Sequence, residues 1–276
     1  MTSGKEDSHA GDWGGLVIAG KAPTNITTEG GTATSEVADI SYGGSVADDN
    51  SGVIKYLRLE YTGARYTDTK EFNGLSLFGV GSGTKIDYVQ SYKGSDDGIE
   101  FFGGTVSASH LVSTDSGDDG IDFADGWKGT GEYWYVKNAE WAGIEGSNNG
   151  DRGGAEPMTD AKLNYISVVA DPLPKDEEGA FYIKEGGGKW TATNIFVSGY
   201  TKKVLKVKKD DTYSITHLNA KEITFNPIQL ADGSENAKKI DKYDSTTAGI
   251  ITEGNNTGAG NGKELPEWAK GWTHTH

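Results

Sequence analysis

One phrase recurs along this chain at a nearly fixed interval. Residues 95–104 read SDDGIEFFGG, residues 117–126 read GDDGIDFADG, and a shorter copy, AGIEGSNNG, begins at Ala142. The related run GLSLFG begins at Gly74, so the glycines at 74, 98, 120 and 143 stand 24, 22 and 23 residues apart. A period of this length with strand-like content is the mark of a solenoid in which each repeat is one turn of the coil. It is about half the length a propeller blade needs, and the Leu/Asn consensus of a leucine-rich repeat is missing.

Between these runs lies a second set of alternating segments. It comprises VIKYLRLEY from Val53, KIDYVQSY from Lys85, VSASHLVS from Val106, YWYVKNAEW from Tyr133, KLNYISVVA from Lys162 and ATNIFVSGY from Ala192. The two sets interleave, so each coil holds at least two strands separated by Gly/Asp/Asn corners. Helical periodicity is almost absent. The expected fold is all-β: a right-handed parallel β-helix of about 22–24 residues per coil and seven to nine coils, each paired with its neighbours about 4.8 Å away. Residues 1–276 read as one domain. Segments 20–50, 145–160 (EGSNNGDRGGAEPMTD) and 171–178 (DPLPKDEE) read as loop excursions, and 221–276 as an irregular C-terminal cover in which KEITFNPIQL supplies a last strand.

Composition limits the function classes. Only 34% of residues are hydrophobic while 10% are aromatic, which describes a folded chain with a thin core. The absence of cysteine excludes disulfides, thiolate catalysis and Cys-based zinc sites. A net charge of −15 repels nucleic acid and anionic lipid and attracts cations. No apolar stretch reaches membrane-spanning length. Scarce Lys and Arg with abundant Gly, Ser, Thr and Asp lead us to expect a bacterial extracellular or cell-surface protein, its export signal not part of this sequence.

The segments GDWGGLVIAGKAPTN, SGVIKYLRLEYTG, NGLSLFGVGSGTKIDYVQSY, DDGIEFFGGTV and the closing GWT resemble a group of secreted β-helix proteins and lipoproteins of marine Gammaproteobacteria and Bacteroidetes with the pectate-lyase-like fold. The resemblance covers most of residues 11–200 and the C-terminal tail. It implies the fold and an extracellular location and brings no catalytic residues. In that group the GDWGG segment follows an export signal and one or two earlier coils.

Strand alternation gives the repeat a chemical reading. Ile99, Phe101, Ile121, Phe123 and Ile144 point inward, while Glu100, Asp122 and Glu145 form an outward column. At the preceding corner Asp96 and Asp97 stack over Asp118 and Asp119. Like charges about 5 Å apart repel by roughly 1 kcal/mol in water and roughly 3 kcal/mol at an effective dielectric near 20. A bridging cation or shared protons relieve this, and Ca²⁺, which takes six to eight oxygen ligands, is the natural cofactor for Asp96, Asp97, Asp118, Asp119, Glu100, Asp122 and Glu145. Asp-Gly is also ordinary turn chemistry, and outward carboxylates keep a sheet face soluble.

The Asp-Asp pairs one coil apart are similar to part of the signature of polygalacturonase-type hydrolases, which implies Asp97, Asp118 and Asp119 as acid and base. The Gly-His-Gly and Arg-Ile-Lys elements of that signature are absent. A lyase needs a basic residue beside calcium, and Arg58, Arg65 and Arg152 lie away from the acids. Trp127, Tyr133, Tyr135 and Trp141 crowd one stretch, and alternation leaves at least one ring exposed for sugar stacking, with polysaccharide or cell-surface glycan as the partner. The open ends of a β-helix predict head-to-tail self-association where a cap is lacking. The expected function is therefore a non-enzymatic extracellular binding or scaffold protein, with a polysaccharide-degrading enzyme or an end-to-end structural subunit as the alternatives.

Overall fold

A computed structural model describes residues 7–27, 30–171, 178–241 and 248–274. Most of DPLPKDEE, the first residues of the polar N-terminal segment and the last histidine lie outside these ranges. The described chain forms two parallel sheets of eight strands each. The first sheet runs Leu16–Ala19, Leu75–Phe78, Ile99–Phe102, Ile121–Ala124, Ile144–Gly146, Phe181–Ile183, Lys203–Val207 and Lys238–Asp241. The second runs Val53–Glu60, Lys85–Tyr92, Ala108–Thr114, Thr130–Lys137, Asp160–Val169, Lys189–Ser198, Ile223–Ala231 and Ile251–Glu253. The chain alternates between the sheets, and each strand pairs in parallel with strands of the same sheet one coil away. This is a parallel β-helix with the periodic runs as its coils.

Register confirms the inward residues. Leu75, Ile99, Ile121, Ile144, Phe181 and Leu205 occupy one aligned column of the first sheet, and each is fully buried. Phe101 and Phe123 pack against Trp127 with ring centroids 4.7 and 5.3 Å apart, and Trp134 and Trp190 complete the aromatic centre of the core. The buried indoles keep their N–H groups satisfied: Trp127 donates to Val106 O and Trp134 to Ala108 O.

Six successive long strands of the second sheet, from Val53–Glu60 to Lys189–Ser198, are each bent by one residue in the left-handed region. These residues are Tyr56, Tyr88, His110, Tyr133, Tyr165 and Asn194, with φ between 52° and 59°. The bend turns one strand into two sides of the coil and stacks the side chains into a ladder. Tyr56–Tyr88, Tyr88–His110, His110–Tyr133 and Tyr133–Tyr165 lie 4.6, 4.2, 5.1 and 4.9 Å apart at interplanar angles of 21° or less. Left-handed backbone costs a non-glycine residue about 1–2 kcal/mol, which ring stacking of about 0.5–1.5 kcal/mol per pair offsets.

Three expectations need correction. The repeat does not decay after residue 220, since Ile223–Ala231, Lys238–Asp241 and Ile251–Glu253 all extend the sheets. The excursion at 20–50 contains an antiparallel pair, Ala33–Thr34 with Ser41–Tyr42. One helix forms, Thr212–Asn219, capped by Asp211, whose carboxylate accepts from Ser214 N. The C-terminal cover is present: residues 254–274 run back over the outer face of the second sheet, where Val112, Tyr135, Val169, Ala259 and Ala269 form a separate apolar cluster. Among the described residues no helix is long and apolar enough to cross a membrane.

Candidate functional site

The outer face of the first sheet carries the acids. Backbone register aligns Ser76, Glu100, Asp122, Glu145, Tyr182 and Lys206 in one outward column across six coils. The corner preceding each strand adds Asp96 and Asp97, then Asp118 and Asp119. All seven acids read from the repeat line one groove of about 580 Å³ together with Glu178, Lys184 and Trp141. Outward does not mean solvated here: Glu100, Asp122 and Glu145 are 8%, 7% and 3% exposed, because loops and corners wall the groove.

The carboxylates divide by what already compensates them. Asp97 accepts the backbone N–H of Asp119 at 2.9 Å, and Asp119 accepts that of Ala142 at 2.6 Å, so these two stitch successive corners together. Glu145 is paired with Lys184 at 2.5 Å, and Glu178 with Lys206 at 2.9 Å. Glu100 receives the Asn73 amide at 2.5 Å. Asp122 keeps one buried carboxylate oxygen with no hydrogen-bond partner, and the Ser76 hydroxyl, two coils away in the same column, is also buried and unpartnered. Ligand oxygens of Asp97, Glu100 and Asp122 lie within 4.8 Å of one another, as do those of Asp96, Asp97 and Asp118 and those of Asp119, Glu145 and Glu178.

Electrostatics follow from that crowding. Burial, and then the charge of neighbouring acids, holds Asp97, Glu100 and Asp119 well above the usual carboxylate range, and burial with Asp122 does the same to Glu145. Burial also raises Asp122, against the opposing pull of Lys184. The half-buried Asp96 is pushed up to about 7 by burial and Asp118, and Asp118 to about 6 by burial and Glu178. Lys184 is driven the other way, its ammonium stabilised by Glu145 and Asp122 over the cost of burial. This favours the ammonium over the free amine and makes Lys184 a poor proton acceptor.

The aromatic stretch is placed differently from the expectation. Trp127 is fully buried in the core and Tyr135 is 2% exposed beneath the C-terminal tail, its hydroxyl donating to Lys263 O. Tyr133 is a rung of the ring ladder. Alternation holds from Tyr133 to Lys137, with Trp134 and Val136 in the core, but the tail covers Tyr135 on the outer face and a left-handed corner at Asn138 resets the pattern before Trp141. Trp141, past the second corner, is the one of the four that reaches the groove. Arg152 is tied to Asn25 O at 2.7 Å and contributes to loop anchoring.

Sequence reasoning missed Lys184, Glu178, Asn73 and Ser76. Alternation held a signal for Lys184, since it follows Tyr182 at the next outward position. The insertion at 171–178 breaks the period and hides Glu178.

The chain matches the model of the pectate-lyase-like β-helix domain over residues 1–273 and belongs to that family. No curated protein and no solved structure matches it.

Proposed function

We propose that this chain is an extracellular, non-catalytic binding module whose acidic groove takes up a divalent cation, Ca²⁺ by preference, and engages polysaccharide through it. The observation that carries the reading is the buried Asp122 carboxylate: one of its oxygens is reached by no donor, and one lies within 4.8 Å of ligand oxygens of Glu100 and Asp97. A hydrogen-bond acceptor buried without a partner costs about 1–3 kcal/mol or more when charged, and a hard cation is the partner an all-oxygen cluster selects. Glu145 and Glu178 already have lysine counter-charges and Asp122 shares that of Lys184, so the acids least compensated are Asp97 and Glu100 beside Asp122. The bound cation would turn a groove that repels acidic glycans into one that accepts their carboxylates and hydroxyls. A polysaccharide-related role is also in keeping with the family.

Binding is favoured over catalysis by the fate of the residues a catalyst would need. Asp97 and Asp119 each commit an oxygen to backbone N–H groups. Lys184, the cation nearest the column acids, is ion-paired and favours its ammonium form, which makes it a poor base for a lyase. Of Asp97, Asp118 and Asp119, on which the hydrolase alternative rests, Asp118 alone stays uncommitted; pushed up to about 6, and with Asp96 beside it at about 7, it suits proton donation near neutral pH.

Calorimetric titration with CaCl₂ and thermal melting, on wild type and Asp122→Asn, test the reading. We expect saturable binding and a higher melting temperature with Ca²⁺ in the wild type, and loss of both in the variant. An unchanged melting temperature across millimolar Ca²⁺ overturns it. Release of new reducing ends from acidic polysaccharides, abolished by Asp118→Asn, would install the hydrolase instead.

A further inference from the structure

A second cleft, of about 720 Å³, lies on a different corner of the coil, where each second-sheet strand turns toward the next first-sheet strand. Four successive coils contribute equivalent residues to it: Tyr61, Lys93, Asp115 and Asn138, all left-handed, with φ of 52–59°. Their side chains are half-buried, and consecutive coils place them about 4.8 Å apart along a straight line. Glu140 and the exposed His9 flank the row. Gly94 and Gly117 lie along the floor, and a Cβ at Gly117 would fall 2.4 Å from Ser95 O.

The cleft's chemistry narrows what fits. Its backbone donors are taken: Tyr61 N donates to Tyr92 O, Lys93 N to Thr114 O, Asp115 N to Lys137 O and Asn138 N to Val169 O. An extended peptide recognised by main-chain pairing, which needs donors as well as acceptors, therefore finds no free N–H in the row. Lys93 opposes Asp115 and Glu140, so the row mixes both signs where the groove around Asp122 is dominated by acid. A polyanion meets two carboxylates and a polycation meets the ammonium. What remains is a linear, uncharged ligand rich in hydroxyls, able to use ammonium, carboxylate and amide groups in turn. Asp115 gives one oxygen to the Asn138 amide at 3.1 Å, and Asn138 accepts from Asp171 N at 2.7 Å, so the two planar groups are held in fixed orientation. Tyr61 meets Tyr92 edge-to-face at 5.9 Å and supplies an aromatic surface at one end. Volume is in the range of ligand sites, about 300–1,000 Å³.

We propose that this corner cleft binds a neutral linear oligosaccharide across the row Tyr61, Lys93, Asp115 and Asn138. The site is separate from the acidic groove and needs no cation. This separation sets the test, which runs in EDTA so that the groove's cation binding is silent. Cellohexaose, laminarihexaose and mannohexaose, each with its shorter homologues, are titrated calorimetrically. One series is expected to bind with affinity rising with chain length, and Lys93→Ala and Glu140→Ala are each expected to weaken it at least about tenfold, the range of a lost charge-assisted hydrogen bond. Amide resonances of Gly94 and Gly117 are expected to shift on binding, a readout that does not depend on any variant folding. Failure of all three series to bind at millimolar concentration overturns the proposal. So does binding that leaves Gly94 and Gly117 unshifted and both variants at wild-type affinity.

Discussion

The two sheets treat their outer faces in opposite ways. On the first, the outward column Ser76–Glu100–Asp122–Glu145 is polar and faces an open groove. On the second, the corresponding column is Gln90, Val112, Tyr135 and Ser167, and the C-terminal tail uses every member of it. Gln90 exchanges two hydrogen bonds with the backbone of His274, Val112 joins the apolar cluster, Tyr135 donates to Lys263 O, and Ser167 bonds Gly262 O and Ala259 N. Trp268 and Trp272 add edge-on contacts to the ring ladder at Tyr88, His110 and Tyr56. One face has its polar and apolar groups answered from within the chain. The other leaves acids short of donors and counter-charge from the chain, and that difference is the physical basis for the cation site proposed on the first sheet.

Removing the tail breaks the comparison most severely. Truncation after Glu253 strips Val112 and Tyr135 of their cover, and losing large buried contacts of this kind costs about 3–5 kcal/mol per ring. We expect a melting temperature lower by roughly 10–20 °C and aggregation through the bared face. A truncated chain that melts with the wild type would show the tail to be ornament.

Lys184→Met tests the acidic face next. It leaves Glu145 buried beside Asp122 without its counter-charge, a loss of about 3 kcal/mol by analogy with broken buried pairs. The loss should be larger at pH 8 than at pH 5, because Glu145, held above the usual carboxylate range, takes a proton more readily as pH falls. Equal destabilisation at both pH values in melting experiments would mean that Lys184 acts by packing alone.

The pH profile of the wild type follows from the same charges. Asp96, Asp118 and Asp125 sit at about 7, 6 and 7 in the folded chain against an ordinary 3.8, chiefly through burial. Raised acids make the folded state hold protons that the unfolded state releases. Their contribution to stability is complete below about pH 4 and is lost as pH climbs through 6 to 7. In metal-free buffer the melting temperature should therefore fall between pH 5 and pH 8, and Ca²⁺ should restore it at pH 8 while doing little at pH 5. A profile flat in pH, or a Ca²⁺ effect equal at both ends, contradicts this.

Much of the architecture was legible because the first sheet obeys strict alternation. The GI-acid-F phrase by itself places Ile99, Phe101, Ile121, Phe123 and Ile144 in the core and aligns Glu100, Asp122 and Glu145, as the structure has them. The second sheet was harder to read, since its corners are made by Tyr, His and Asn in left-handed backbone rather than by glycine. Alternation does place Tyr135 on the outer face, but the C-terminal tail that covers it there comes from irregular chain far along the sequence. The compensating groups were invisible for another reason. Glu178 comes from a segment where an insertion breaks the period, and the tail contacts come from irregular chain with no pattern to read. A periodic sequence announces what repeats, and here the acids repeat while their partners do not.

The smallest expected effect lies at the exposed end of the ladder. Tyr56 is 59% exposed and belongs to Val53–Glu60, the edge strand of the second sheet, so it stacks on Tyr88 and has no ladder neighbour beyond it. Replacing it with Ser removes one stacked pair and the edge contact from Trp272, about 0.5–1.5 kcal/mol, partly offset because Tyr56 leaves much of its ring in water in the folded state. Tyr88→Ser, inside the ladder, removes stacking on both Tyr56 and His110 and the edges of Trp268 and Trp272. Its cost should be at least twice as large. If chemical denaturation gave the two variants the same loss, the tail would be held by its hydrogen bonds to Gln90, Tyr135 and Ser167, with the ring contacts contributing little. If Tyr88→Ser alone also raised protease sensitivity within residues 254–274, the ladder would be what holds the tail over this face.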